Sequence, residues 1–299
     1  MSSYQKCNDS KLMIYIERFV EKTIQERALW CGFQEELEYL VKEIDYEYTP
    51  SLQYSAYIQA LLVLMDECRN FGKVDYQQLG EMGYREIRNI FLRFERQQLA
   101  ELKSFSKSEE RNRTQLVGYL NKLIMHYSRL LFVRIDLAYK KEKHSNIDIR
   151  TFRDHVRKLI GFIQDGDRCF RDLEGYAWAL EQGEEKGYHC HLLLIYNGAA
   201  RKQDYYYADK VIEKWKDIVG EDWSGFNCNT KEHKDQFRSM DKLGIGMIHR
   251  DNPKQVINAI NTCAYLVNPE KTNQYLRVKV PMMRTFGTGR YQRSYRRYR

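Results

Sequence analysis

Tyr188-His189-Cys190-His191-Leu192-Leu193-Leu194-Ile195-Tyr196 is the stretch on which the reading of this chain turns. Side chains two apart on a strand share a face, so in an extended segment His189 and His191 stand side by side while Cys190, Leu192 and Leu194 enter the opposite layer. The segment Gly183-Glu184-Glu185-Lys186-Gly187 has glycine at both ends and joins it to a second apolar run at 176–182, which makes the two a β-hairpin. Antiparallel pairing around 184–186 brings Glu181 opposite His189 or His191. Two imidazoles and a carboxylate make a chelate for a divalent ion that keeps coordination positions open. The competing reading is a pair of histidines in a polar groove. Glu184 and Glu185 are rival carboxylates, read as solvated, and His249 is a further candidate ligand.

Working outward, residues 131–139 alternate with period two. Leu131, Val133, Ile135, Leu137 and Tyr139 fall on a dry face, Arg134 and Asp136 on a polar one. Helices are expected at 149–163 and 206–219, a loop at 220–229 and a short strand at 245–250. A last helix is expected at 251–268, with Asp251 as N-cap, Pro253 in its first turn and Pro269 as its stop. Val256, Ile257, Ile260, Cys263, Ala264 and Val267 form its apolar stripe; Lys254, Asn258, Asn261, Tyr265 and Asn268 line the other side. A phenol there is a candidate nucleophile toward a metal-bound phosphate, against the competing reading of one surface tyrosine among 23.

Upstream, apolar positions recur at helical spacing: Leu12, Ile16, Phe19, Val20, Ile24 and Ala28, later Ile87, Ile90, Phe91 and Phe94. Breaks fall near 48–51 and 71–73. Residues 104–114 are polar and without period, which predicts a linker or long loop, followed by a helix over 114–130. The chain is thus expected to be α+β: a helical N-terminal domain (1–113), a domain with a central antiparallel sheet flanked by helices (114–289), and a basic Tyr/Arg tail (290–299).

The longest apolar run, residues 60–65, is far short of the ~20 that a membrane span needs. The first thirty residues carry acids rather than a leader's apolar core, so a cytoplasmic protein without a membrane partner is expected. Seven cysteines, none at Cys-x-x-Cys spacing, are read as free thiols. The formal net charge of +8 is local: residues 271–299 hold nine Lys and Arg and no Asp or Glu. Arginines and tyrosines alternate at the very end, which suits phosphate pairing and base stacking on single-stranded nucleic acid; a solvated tail is the alternative. Lys140, Lys141 and Lys143 form either a second phosphate clamp or an ordinary loop.

Together, Arg134-Ile-Asp-Leu137, Trp178-Ala-Leu-Glu181, Gly187-Tyr-His-Cys-His-Leu-Leu-Leu194, Ala264-Tyr265-Leu266 and Arg284-Thr-Phe-Gly-Thr-Gly289 resemble the HUH endonucleases. The likeness is to the inovirus-type replication initiators with a YagK/YfjJ-like C-terminal domain, and it covers about 130–289. It implies metal-dependent nicking and joining of one DNA strand in rolling-circle replication of a phage or prophage. His189, His191 and Glu181 would hold Mg²⁺ or Mn²⁺, and Tyr265 would form a 5′-phosphotyrosine, leaving a 3′-hydroxyl primer. Implied partners are single-stranded DNA and duplex origin DNA, with a host replication helicase or a second protomer admitted. Arg134, Lys254, Arg284, Arg290, Arg293, Arg296, Arg297 and Arg299 are the candidate DNA-binding cations. The family helix often reads Tyr-x-x-Lys, but here Asn268 stands three residues after Tyr265 and the nearest lysine is Lys271; both are candidate catalytic residues. The positions of a second nucleophile hold Asn261 and Pro269, which implies a one-tyrosine enzyme, with Tyr205-Tyr206-Tyr207 as a weak source of another hydroxyl. The alternative is a non-cleaving DNA-binding regulator or phage-interference factor on the same fold. A two-His phosphodiesterase is disfavoured, because that class pairs two His-x-Thr or His-x-Ser motifs.

Overall fold

Amphipathic helices open the chain, and a computed structural model describes residues 9–268, 270–271 and 273–291. α1 (Asp9–Gln25) and α2 (Phe33–Glu47) bury the apolar positions that recur every three or four residues, among them Leu12, Ile16, Phe19, Leu37 and Val41. Ala28, expected in the same stripe, lies beyond the end of α1 and is exposed. β1 (Gln53–Tyr54) and α3 (Ala56–Glu67) follow, then β2 (Arg69–Asn70), β3 (Lys73–Val74) and α4 (Tyr76–Glu81). Both expected breaks occur. The second is the β2–β3 turn, where Gly72 takes the left-handed conformation at φ 80°. The helical N-terminal region is therefore present, interrupted by three two-residue strands.

The expected linker does not exist. Residues 104–114 lie inside α5 (Tyr84–His126), a helix of 43 residues, so a boundary between 113 and 114 falls in mid-helix. The stripe that holds this stretch down is thin and partly polar: Gln98 and Glu109 are buried, Leu102 and Phe105 half-buried, and Leu116 fully buried. Spacing of three, four and seven was present, yet the charged majority masks it.

β4 (Arg129–Tyr139) comes next, then α6 (Ile149–Asp165), the hairpin of β5 (Leu173–Gly183) and β6 (Gly187–Asn197), and α7 (Asp204–Val219). β7 (Trp223–Asn227) occupies the expected loop, and α8 (Lys231–Ser239) was not anticipated because none of its residues is buried and no apolar period marks it. β8 (Gly246–His249), α9 (Pro253–Ala264), β9 (Val278–Lys279) and β10 (Phe286–Thr288) complete the chain. The main sheet is antiparallel, ordered β10-β5-β6-β4, and the far edge of β4 pairs β8 along its first half and β7 along its second.

One face of this sheet, with Val133, Ile135, Leu137, Leu192 and Leu194, packs on α6 and α7 through Phe152, Leu159 and Trp215. The other carries Leu130, Phe132, Ala179, Leu193 and Ile195 against Leu116, Leu120 and Leu123 of α5 and Ala259 and Cys263 of α9. Each such fully buried Leu or Phe contributes roughly 1.5–3 kcal/mol relative to an exposed one. The second face is thus not polar throughout, as 131–139 suggested: α5 and α9 cover one end with apolar side chains, and buried polar residues occupy the end beside the hairpin. The described cysteines are free thiols, and among the described residues no helix is long and apolar enough to cross a membrane.

After α9 the chain returns across the hairpin. Gln182 N donates to Gln274 O (2.9 Å), Arg277 N donates to Gln182 Oε1 (2.8 Å), and β9 pairs with β1. Arg277 Nε donates to Glu17 Oε2 at 2.6 Å, and Ser55 and Tyr275 satisfy the other oxygen of that carboxylate. This buried group ties α1 to the returning segment. Removing one member of such a pair strands a charge, so Arg277→Met is expected to lower the unfolding free energy by about 3–5 kcal/mol. Glu17→Gln combined with it should recover more than half of that loss in urea titrations. A double variant no more stable than Arg277→Met would refute the pairing.

Candidate metal centre

The hairpin register sets Glu181 opposite His189 and Ala179 opposite His191, while β4 sets Asp136 opposite His191. The three-residue turn needs Gly187: its φ is +61°, and a Cβ there would come within 3.0 Å of His144 Nδ1 and Ser10 Oγ. His189, His191 and Glu181 are all buried.

Both imidazoles are oriented from behind. His189 Nδ1–H donates to Gly187 O at 3.0 Å, and His191 Nδ1–H donates to Asp136 Oδ1 at 2.6 Å. That leaves both Nε2 atoms facing one carboxylate, with Glu181 Oε2 at 3.4 Å from His189 and 3.2 Å from His191. One donor atom from each of the three residues lies within 4.8 Å of the others, a set that fits a divalent ion with positions left for oxygen ligands. Burial alone would raise the pKa of Glu181. The hydrogen bonds from His189 and His191 and the charges of His191 and Lys271 outweigh it and hold the carboxyl well below the usual range. Asp136 behaves alike: burial is opposed by His191, Arg134 and Lys186, and its pKa falls. Burial would lower the pKa of His191, and its two carboxylate neighbours raise it instead.

Tyr265 is adjacent but not helical in the way expected. α9 ends at Ala264, is capped by Asn252 rather than Asp251, and leaves Tyr265 as its C-cap, 53% exposed. Ile257, assigned to the apolar stripe, is exposed too. Asn268 Oδ1 accepts from Glu270 N (3.1 Å) and its carbonyl accepts from Lys271 N (3.1 Å), so this residue builds a turn at the edge of the cleft. The turn delivers Lys271 to the centre: its Nζ lies 3.0 and 3.2 Å from the two oxygens of Glu181 and 4.3 Å from the centroid of the Tyr265 ring. The guanidinium of Arg134 stands 5.9 Å from the same ring, its Nε buried without a hydrogen-bond partner among the described residues.

Other candidates lie elsewhere. Lys254 pairs with Asp241 at 2.5 Å in the first turn of α9, roughly 16 Å along the helix from Tyr265. Arg284 and Arg290 are exposed on either side of β10, while Arg293, Arg296, Arg297 and Arg299 are outside the described residues. His249 is opposite Arg129, at the far end of β4 from Asp136, and is not part of the cluster. Glu184 makes a bidentate pair with Arg18 at 2.8 and 2.6 Å. Tyr205, Tyr206 and Tyr207 ride on α7, across the sheet from the histidines. Lys141 and Lys143 are exposed in the turn after β4. Three residues were missed. Asp136 was read merely as polar, and Phe105 and Glu109, from the expected linker, line the cleft beside Glu181, Asn268 and Lys271.

The family model of the YagK/YfjJ C-terminal domain matches residues 92–289. The chain belongs to the YagK/YfjJ C-terminal domain family. No curated protein and no solved structure matches it. The matched span begins inside α5 and contains Glu181, His189, His191, Tyr265 and Lys271, so the YagK/YfjJ domain here includes the part of the helix whose residues wall the cleft.

Because Asp136 fixes the tautomer and angle of His191, Asp136→Asn is expected to weaken Mn²⁺ binding 10–100-fold in calorimetric titrations, whereas His189→Ala or His191→Ala should abolish it. Wild-type affinity in Asp136→Asn would show that His191 needs no carboxylate behind it.

Proposed function

We propose that this protein is a HUH-type, inovirus-like rolling-circle replication initiator that nicks and rejoins single-stranded DNA. The observation that carries this reading is the ammonium of Lys271, which touches both a carboxylate of the metal set and the ring of a half-exposed tyrosine. His189, His191 and Glu181 would hold Mg²⁺ or Mn²⁺, and such an ion supplies Lewis-acid polarisation of a phosphoryl oxygen.

The chain's own residues do the rest. Tyr265 Oη attacks the scissile phosphorus. The bond from phosphorus to the 3′ oxygen breaks as the tyrosyl ester forms; the phenolic proton leaves to solvent, and the 3′ oxygen takes one up. Arg134 and Lys271 offset the charge that develops on the phosphate. The ester conserves the energy of the broken bond, so reversal reseals the strand without ATP. The basic tail, 290–299, holds the strand by its phosphates, and duplex origin DNA is the substrate from which that strand is melted.

Short single-stranded oligonucleotides with Mn²⁺ should give a covalent adduct that maps to Tyr265 by mass. The adduct should vanish in Tyr265→Phe and with chelator, and form about 10²–10³-fold more slowly in Lys271→Ala. Retarded DNA with no adduct in wild type would replace this reading with that of a non-cleaving DNA-binding regulator. Deleting 290–299 should weaken single-stranded DNA binding and flatten the slope of log K against log salt; an unchanged slope would remove the tail from the interface.

A further inference from the structure

β7 brings onto the metal face an aromatic side chain that its own core does not bury. The register sets Phe226 opposite Asp136, itself opposite His191, so the three form one row across neighbouring strands. At 4.7–4.9 Å per strand, Phe226 lies about 10 Å from His191. It is 49% exposed. His233 of α8 meets it nearly at right angles, with ring centroids 5.3 Å apart, and Phe237 supports His233 from 4.9 Å. Burial lowers the pKa of His233, the charge of Arg134 lowers it further and Asp136 opposes both, which favours the neutral ring. Arg134 is on the same face of β4 as Asp136, two residues away, between this pair and Tyr265.

Cations border the row. The Arg134 guanidinium is 3.8 Å from Asp136, the Lys186 ammonium is 3.4 Å from it, and the Lys186 side chain is 56% exposed. A ligand that fits must therefore be anionic where it meets Arg134 and Lys186 and flat where it meets Phe226. An apolar peptide has no use for the cations, and a free phosphate has none for the ring. A strand of unpaired nucleotides offers both at a spacing of one nucleotide.

We propose that Phe226, backed by His233, is a stacking platform for the base adjoining the scissile phosphate, with Arg134 on that phosphate. The inference rests on the nicking reading for its register, but the platform binds with or without chemistry. Base–aromatic stacking is tolerant of sequence, so the platform supplies affinity and holds the phosphate in place while leaving origin choice to other contacts.

The test uses the full chain and fluorescein-labelled oligo(dT) in chelator, read by anisotropy so that cleavage plays no part. Phe226→Ala should weaken binding about tenfold or more, with thermal unfolding and Mn²⁺ affinity unchanged, and Phe226→Trp should retain it. Emission from Phe226→Trp, corrected for the wild-type tryptophans, should be quenched on saturation. One abasic nucleotide moved along the oligonucleotide should remove the difference between wild type and Phe226→Ala at a single position. Wild-type affinity in Phe226→Ala, unquenched indole emission from DNA-bound Phe226→Trp, or no binding of oligo(dT) by wild type would each overturn the platform. An adduct at Tyr265 together with normal binding by Phe226→Ala would leave the nickase standing without it. Lost binding in Phe226→Ala with no adduct in wild type would leave the platform without the nickase.

Discussion

A carboxylate buried at the hairpin end of a sheet is the constraint from which the rest of this molecule follows. Glu181 is 8% exposed, and an anion so placed is tolerated only where donors or cations converge on it. They come from two distant places. The hairpin ladder supplies His189 and His191, whose facing direction is set by the bonds from their other ring nitrogens to Gly187 and Asp136. The turn after α9 supplies Lys271. The second source matters most, because Lys271 can reach Glu181 only if α9 stops at Ala264 and the chain folds back through Asn268. The same fold-back leaves Tyr265 at the helix end, half in solvent and against the ammonium.

That return path explains why the helical N-terminal region and the sheet are not independent bodies. The segment carrying Lys271 continues into Tyr275 and Arg277, which close on Glu17 of α1, and into β9, which pairs with β1. Gln182, next to Glu181, bonds to both ends of this arrangement: its Nε2 donates to Ser10 O at 2.7 Å, and its Oε1 accepts from Arg277 N. α5 contributes from the other side, since one helix runs from the N-terminal core through the cleft wall to the second face of the sheet. A metal centre assembled from hairpin and loop is thereby braced by residues more than 150 positions away.

What could be read in advance was what is encoded locally. Period-two alternation and the flanking glycines of 183–187 are short-range signals, and they were enough for the facing of His189 and His191 and for the partner Glu181. Asp136 was not legible as their support, because its meeting with His191 depends on which strand lies beside β6, 55 residues away in sequence. Lys271 was visible as a displaced lysine beyond Pro269, the expected helix stop, where helical spacing gives it no place beside Tyr265. The backbone leaves the helix, and a tight turn restores in space the neighbour that spacing denies. α8 and the middle of α5 were not legible for related reasons: α8 buries none of its residues, and in α5 a charged majority masks the helical spacing of the few that are buried.

On the nicking reading, ion and phosphate binding would reinforce each other electrostatically. Glu181 is paired with Lys271, and Asp136 with Arg134 and Lys186, while His191 lies between the two carboxylates. A divalent ion at Glu181, His189 and His191 would add positive charge beside Arg134 and so favour a phosphodiester there. Such an ion would take over the balancing of Glu181 that the two imidazoles and Lys271 supply, and leave Lys271 against the ring of Tyr265. Under the nicking reading, a residue that balances the buried carboxylate would then also be the one placed to steady charge at the phenol.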